Sequence, residues 1–243
     1  MSERTTLTGM VLKSAPSGEY DRRIVLLTRE RGKVTAFVRG ARRPKSSLQA
    51  ATGLFAFGSF EAYEGKSAWT IVKAEIREHF LDIAKDYDLT VYGSYFLEAA
   101  EYFSAEGDEA SDQLNLLYVT LRALLKGQMD LPLIRRIYEL RTLYYNGTYP
   151  EVFSCIQCGK KENLERFDFY SHGLFCAECG KDRKGIRLEK ASVYALQYIL
   201  SAPLEKLYSF RVNEKVFGQI DQMIDRIFQS YVDRPFNSAA FLS

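Results

Sequence analysis

The chain has 243 residues, 47% of them hydrophobic and 14% aromatic, which is enough for one large packed domain or two to three small ones. Its net charge is only +2, but residues 1–80 carry 14 Lys and Arg against 8 Asp and Glu, whereas residues 81–150 carry 6 against 11. No stretch approaches the roughly eighteen uncharged apolar residues of a membrane span, and Met1-Ser-Glu-Arg-Thr-Thr opens no secretory signal, so a folded cytoplasmic protein with segregated charge is expected.

The first eighty residues read as five short strands, Thr8–Lys13, Tyr20–Glu30, Gly32–Arg39, Phe55–Glu64 and Ala68–Ile76. Pro16-Ser17-Gly18, Arg31-Gly32 and Glu64-Gly65-Lys66 supply turns between them. That number is too few for an immunoglobulin-type sandwich and suits a small Greek-key barrel such as the OB-fold.

From Asp82 onward the apolar period becomes helical. Leu89, Tyr92, Phe96, Ala99, Ala100 and Phe103 form one stripe, and Leu114, Leu117, Leu121, Leu124 and Leu125 a second. Leu133, Ile134, Ile137, Leu140, Leu143 and Tyr144 form a third. Ser111 or Asp112 is the expected cap of the second helix, and Pro132 fits the first turn of the third. Two more stripes follow, Ser192–Leu200 and Val216 to Tyr231, and are expected to pack back on the first three.

The only cysteines, Cys155, Cys158, Cys176 and Cys179, lie between these helical parts and read CxxC, seventeen residues, CxxC. That is zinc-ligand spacing, and Gly159 and Gly180 after each pair let the chain turn tightly. Four thiolates leave no open position, so one structural Zn2+ is expected rather than a catalytic one. Two disulfides would need an oxidising compartment. The expected organisation is α+β and multidomain, with a five-stranded barrel at 1–80, a helical domain at 81–150 and 186–243, and a zinc module at 151–185 inserted into it.

Nine cations crowd the 24 residues from Arg22 to Lys45: Arg22, Arg23, Arg29, Arg31, Lys33, Arg39, Arg42, Arg43 and Lys45, against the single acid Glu30. On the third strand, Val34, Ala36 and Val38 alternate with Lys33, Thr35, Phe37 and Arg39, which puts an aromatic between cations on the outer face. Aromatics stack bases and cations track phosphates. The competing reading is a solvated basic face with Phe37 under a loop. In a smaller basic group of Arg135, Arg136 and Arg141, either Arg135 and Arg136 offset acids on neighbouring helices or the group lines a groove for an acidic, apolar peptide.

Signs of catalysis are sparse. GxxxxGK[ST], GxSxG and HExxH are all missing, and the two histidines, His79 and His172, do not supply the His-x-Glu of a zinc deaminase. Paired acids such as Asp86 with Asp88, or Asp108 with Glu109, fall at expected helix starts.

Three stretches carry a family resemblance: Gly18-Glu-Tyr-Asp-Arg-Arg-Ile-Val-Leu-Leu-Thr-Arg-Glu-Arg-Gly-Lys-Val, Arg39-Gly-Ala-Arg-Arg-Pro-Lys-Ser-Ser-Leu, and Leu133-Ile-Arg-Arg-Ile-Tyr-Glu-Leu-Arg-Thr-Leu leading into Cys155. The chain resembles the RecO family of bacterial recombination mediators and DNA repair proteins over nearly its full length. The resemblance implies an OB-fold, a helical domain and a zinc-bound module, with no enzymatic activity and no small-molecule substrate. It also implies binding of single- and double-stranded DNA, annealing of complementary strands at the nucleoid, and action with RecR to load RecA onto DNA coated by the single-strand binding protein SSB. It carries the DNA role to Arg39, Arg42, Arg43 and Lys45 and the zinc role to the four cysteines. Arg135, Arg136 and Arg141 are the candidates for holding the C-terminal tail of SSB. The alternatives left open are an RNA-binding protein of ribosome or tRNA metabolism, a zinc-dependent hydrolase or nuclease, and a scaffold that binds acidic proteins.

Overall fold

The structure is a computed structural model that describes residues 4–242. Five strands, β1 (Arg4–Ser17), β2 (Asp21–Thr28), β3 (Gly32–Val38), β4 (Phe57–Tyr63) and β5 (Trp69–Glu78), close into a barrel in the order β1-β2-β3-β5-β4. β1 runs well beyond the Thr8–Lys13 expected from alternation, because it serves two neighbours. It pairs with β4 from Arg4↔Tyr63 to Met10↔Phe57 and with β2 from Gly9↔Thr28 to Ser17↔Asp21. A register shift between Val11 and Lys13 bends it between the two partners and breaks the two-residue period at the same point. β3 and β5 close the barrel as a short parallel pair, Ala36↔Trp69 to Val38↔Ile71.

The alternation expected on β3 holds. Val34, Ala36 and Val38 are buried with Leu7, Ile24, Leu26, Phe60 and Ile71 in the barrel core, whereas Phe37 is exposed. Inward burial of this kind stabilises at about 25 cal/mol per Å² of apolar surface, and a one-residue slip would turn the whole set to water.

Five helices follow: α1 (Tyr87–Phe103), α2 (Ser111–Lys126), α3 (Leu131–Tyr145), α4 (Lys190–Ser201) and α5 (Glu214–Ser230). Asp86 caps α1 by accepting from the Leu89 N–H at 2.9 Å, and Asn213 caps α5 by accepting from the Val216 N–H at 2.9 Å. At α2 the expected cap is corrected: Ala110 accepts the first helical bond, from Leu114 N–H at 2.9 Å. The Ser111 hydroxyl instead donates to Glu109 at 2.6 Å, and Asp112 stands in the first turn, facing the positive end of the helix dipole. Pro132 occupies the first turn of α3 as expected.

Packing divides the chain inside α2. Residues up to Leu121, together with those from Phe236 onward, form one compact unit, and Arg122–Pro235 form another. In the first unit α1 packs on β1 and on a 3-10 turn at Asn237–Phe241. The Phe236 ring meets Tyr95 and Tyr102 edge-on at 5.5 and 5.6 Å, and Ser238 donates from its N–H and Oγ to Glu98 at 3.1 and 2.7 Å. In the second unit α3, α4 and α5 pack on one another. The single five-helix core expected from the stripes is therefore two cores, because period shows that a helix has an apolar face without showing which neighbour covers it.

Three short strands, β6 (Leu164–Asp168), β7 (Gly173–Cys176) and β8 (Ile186–Arg187), form a sheet in the order β7-β6-β8 between α3 and α4. Since α3 and α4 pack together, this four-cysteine module is an insertion in a helical unit, as expected. Among the described residues no helix is long and apolar enough to cross a membrane.

Candidate nucleic-acid interface and four-cysteine centre

The basic segment Arg22–Lys45 is spread along the β2–β3 hairpin and beyond it, so one run of sequence gives two patches and one inward residue. Arg22 shares the inner-face parity of Ile24 and Leu26, is half-buried, and donates to the Ser14 hydroxyl at 2.8 Å. It belongs to the rim of the barrel more than to an exposed interface.

Arg29, Arg31 and Lys33 surround the β2–β3 turn, which is pinned by backbone bonds to the segment between α1 and α2. Lys33 N–H donates to Ala105 at 2.8 Å, Gly107 N–H to Arg31 at 3.1 Å and Ala110 N–H to Arg29 at 2.9 Å. Gly32 makes this approach possible: its φ is +56°, and a Cβ there would stand 2.3 Å from the Ala105 carbonyl oxygen. The Lys33 ammonium donates to the Glu101 backbone carbonyl at 3.1 Å, which leaves its charge unneutralised.

At the other end of β3 lies the loop holding Arg39, Arg42, Arg43 and Lys45, all exposed. It is fastened to the β1–β2 turn. Gly40 N–H donates to the Asp21 carboxylate at 2.7 Å, and Arg42 donates from its backbone to Tyr20 at 2.8 Å and from its guanidinium to the Gly18 and Glu19 carbonyls at 3.2 Å. Arg43 lies over the Tyr20 ring, 5.4 Å from its centroid. Tyr20 was not singled out from sequence, where a turn tyrosine gives no sign of the arginine above it. Among the described residues none of the nine cations is ion-paired with a carboxylate, so both patches keep their charge.

The arginines of α3 behave in the opposite way. Arg136 is 6% exposed and donates to Asp221 at 2.6 Å and to the fully buried Glu139 at 2.7 Å, with Asp225 at 2.9 Å. Burial works against its charge, but Glu139 and Asp221 more than offset this and hold its pKa above the ordinary guanidinium value. Arg135 pairs with Glu139 at 2.7 Å. Arg141 is also buried, donating to the Ile199 and Leu200 carbonyls at 3.3 and 2.7 Å and to the Tyr145 hydroxyl at 2.7 Å. Arg135 and Arg136 thus offset nearby acids, whereas Arg141 serves neutral acceptors.

The four cysteines converge. Their sulfurs all lie within 4.8 Å of one another, with Cys158 and Cys176 at 3.8 Å. All four are free thiols, and sulfurs bound at about 2.3 Å around a tetrahedral ion would stand about 3.8 Å apart. The residues therefore fit a metal ion. The two knuckles match: Gly159 N–H donates to the Cys155 carbonyl and Gly180 N–H to the Cys176 carbonyl, each at 2.8 Å. The glycines serve different needs, however. Gly159 has φ +74°, whereas Gly180 is required by closeness, since a Cβ there would lie 2.9 Å from that of Arg166. Burial disfavours a Cys155 thiolate, but backbone N–H groups at Cys176, Cys158 and Gln157 pull the thiol down to about 6. Hydrogen bonding to Cys158, with burial, pushes Cys179 up to about 12. A divalent cation at the centre would resolve that conflict. His172 stays outside the sulfur group, with its ring edge-on to Tyr231 at 6.1 Å.

Fold and clusters together define a class: an OB-fold barrel joined to a helical unit that carries a four-cysteine module. The model of Recombination protein O N terminal matches residues 1–80, and that of Recombination protein O C terminal matches residues 84–240. A DNA repair protein RecO from Alkaliphilus metalliredigens is 32% identical over 95% of this chain and 95% of its own. One from Acetivibrio thermocellus is 30% identical over 97% and 94%, and one from Listeria innocua 29% over 96% and 92%. The chain belongs to the RecO family of DNA repair proteins.

Proposed function

We propose that this chain is a non-enzymatic recombination mediator that binds single- and double-stranded DNA, anneals complementary strands and, with RecR, helps load RecA onto SSB-coated DNA. Residues 1–80 act as the DNA-binding domain. The observation that carries this reading is the exposed loop of Arg39, Arg42, Arg43 and Lys45, held by backbone bonds and by the Arg42 guanidinium on neutral carbonyls, so that its positive charge is left for phosphates. Annealing then needs no catalytic group. Two complementary strands repel through their phosphates, and a surface that neutralises both raises their local concentration while the base edges stay free to pair.

Cys155, Cys158, Cys176 and Cys179 hold one structural Zn2+. The metal supplies folding energy to a module of three very short strands, with roughly 10–16 kcal/mol of apparent binding free energy in sites of this type. RecR and the acidic tail of SSB are the protein partners of this reading, and the nucleoid is its place of work. The tail is not assigned to Arg136 and Arg141, which are buried and bonded to internal acceptors.

The test is annealing of two complementary oligonucleotides, one coated with SSB, by the native chain and by a variant with Arg39, Arg42, Arg43 and Lys45 all changed to Glu. Rapid pairing that fades with salt and vanishes in the variant supports the reading. Equal, negligible pairing by both proteins sinks it.

A further inference from the structure

The four thiols are not equally covered. Cys155 and Cys176, the first cysteine of each pair, are 1% and 2% exposed, whereas Cys158 is exposed and Cys179 half-buried. Backbone bonds account for the difference on the first knuckle. Cys155 N–H donates to the Lys160 carbonyl at 2.7 Å and Ile156 N–H to the Leu174 carbonyl at 3.0 Å, which fastens the start of the knuckle against β7. Cys158 stands at its outer turn, just before Gly159 with φ +74°. The sulfur of this exposed residue is nevertheless only 3.8 Å from that of buried Cys176.

A groove of about 420 Å³ reaches Cys176 between Lys160 and Lys161 on one hand and Glu162 and Glu178 on the other. Lys160 is bonded to Glu178 at 2.7 Å, and its ammonium also lies close enough to Cys158 and Cys176 for negative sulfur to favour it. The same attraction favours thiolate at those two cysteines. Oxidation selects thiols that are thiolate in character, reachable from solvent and next to a second thiol that can resolve the first product. Cys158 combines exposure, a neighbouring cation and a partner sulfur within 4 Å. Cys155 lacks the exposure.

We propose that Cys158 is an oxidation site, and that a hydroperoxide acting there joins it to Cys176 in a disulfide and so releases the metal and opens the module. The Cys158 thiolate attacks the outer oxygen of the peroxide. An S–O bond forms, the O–O bond breaks and the alkoxide or hydroxide leaves, so that the sulfur is oxidised by two electrons to a sulfenic acid and the peroxide is reduced. Cys176 sulfur then displaces the sulfenic oxygen, which departs as water once protonated, and the S–S bond closes after an approach of about 2 Å. With two of its four thiolates consumed, the centre no longer holds its ion, and the three short strands lose the folding energy that the ion supplies. The barrel contains no cysteine and is unaffected. This rests on the reading of the four cysteines as a structural Zn2+ site and adds a reversible modification to it.

The experiment treats the metal-loaded full chain with hydrogen peroxide, follows zinc release with a chromogenic chelator and maps disulfides by mass spectrometry of unreduced peptides. Limited trypsin digestion reads the opening, since Lys160, Lys161, Lys181 and Lys184 are exposed within the module. The proteins are the native chain, Cys158→His and Cys179→His; histidine still ligates zinc but forms no disulfide. Native protein should release zinc, gain the Cys158–Cys176 disulfide and become trypsin-sensitive at those lysines, and a dithiol with added Zn2+ should restore it. Cys158→His should release zinc about tenfold or more slowly, because the exposed thiol is gone, whereas Cys179→His should behave as native. Retention of zinc by the native chain, a disulfide of any other pairing, or equal release from Cys158→His overturns the proposal and leaves the zinc reading intact. Should Cys158→His fail to bind metal, the disulfide map of the native chain decides alone. A native chain purified under reducing conditions without metal overturns both.

Discussion

Two arginine clusters stand out in this chain, and they do opposite things. On the barrel, Arg39, Arg42 and Arg43 are exposed and meet backbone carbonyls and a tyrosine ring, so their charge faces outward. On α3, Arg136 is buried against Glu139, Asp221 and Asp225, and its charge is spent within the unit. Density of positive charge along a sequence is therefore weak evidence of a binding surface until the counter-charges have been located. The strongest local difference is that Glu139 is on the same helix turn as Arg135 and Arg136, while Asp221 and Asp225 come from α5, far along the chain.

The comparison can be broken most severely from outside both clusters, at the four cysteines. Changing Cys155 or Cys176 to Ala should abolish metal retention, measured by elemental analysis, and unfold the module. The expected loss approaches the roughly 10–16 kcal/mol of apparent metal binding in sites of this kind. DNA affinity of the barrel should persist in the folded remainder, and full metal content with an unchanged melting temperature would contradict the four-thiolate site. Next in size is Arg136→Ala, which removes one of the two arginines bonded to the fully buried Glu139 carboxylate and leaves Arg135 on it. The cost should stay below the roughly 3–5 kcal/mol of a buried charge left wholly unpaired. Thermal unfolding should show this while affinity per folded molecule stays near native. If affinity falls instead and stability does not, the α3 arginines are a binding site after all.

The loop gives the reverse pattern. Changing Arg39, Arg42, Arg43 and Lys45 to Ala together should leave the melting temperature nearly unchanged and weaken DNA binding, with the single-strand salt slope falling by about 3 if all four meet phosphates. The smallest effect is expected on the neutralised side of the barrel. Lys73→Ala should alter affinity for either DNA by less than about twofold, since Glu61 and Glu75 already offset that charge. A large loss there would extend the DNA surface around the barrel.

Much of this was legible in advance for identifiable reasons. β3 was readable because Val34, Ala36 and Val38 alternate without interruption, and the sulfur cluster because CxxC spacing fixes each pair locally. β1 was only half readable, since the bulge at Val11/Lys13 interrupts its period. The return of Phe236 and Ser238 to α1 left no local signal at all, because its partners Tyr95, Tyr102 and Glu98 lie more than a hundred residues earlier. Tyr63 falls inside the strand expected over Phe55–Glu64, but its place opposite Thr70, and through it in line with Phe37, depends on two strand registers that turn geometry and closure decide.

Sequence alone determined the five barrel strands and five helices and their order, the inward and outward faces of β3 and the pairing of the four cysteines, because periods of two and 3.6 and short ligand spacings are properties of neighbouring residues. Tertiary structure alone decided which charges stay unneutralised, which helices share a core and which aromatics line up across strands. Those depend on residues distant along the chain that only the closed barrel and the packed helices bring within a few ångströms of one another.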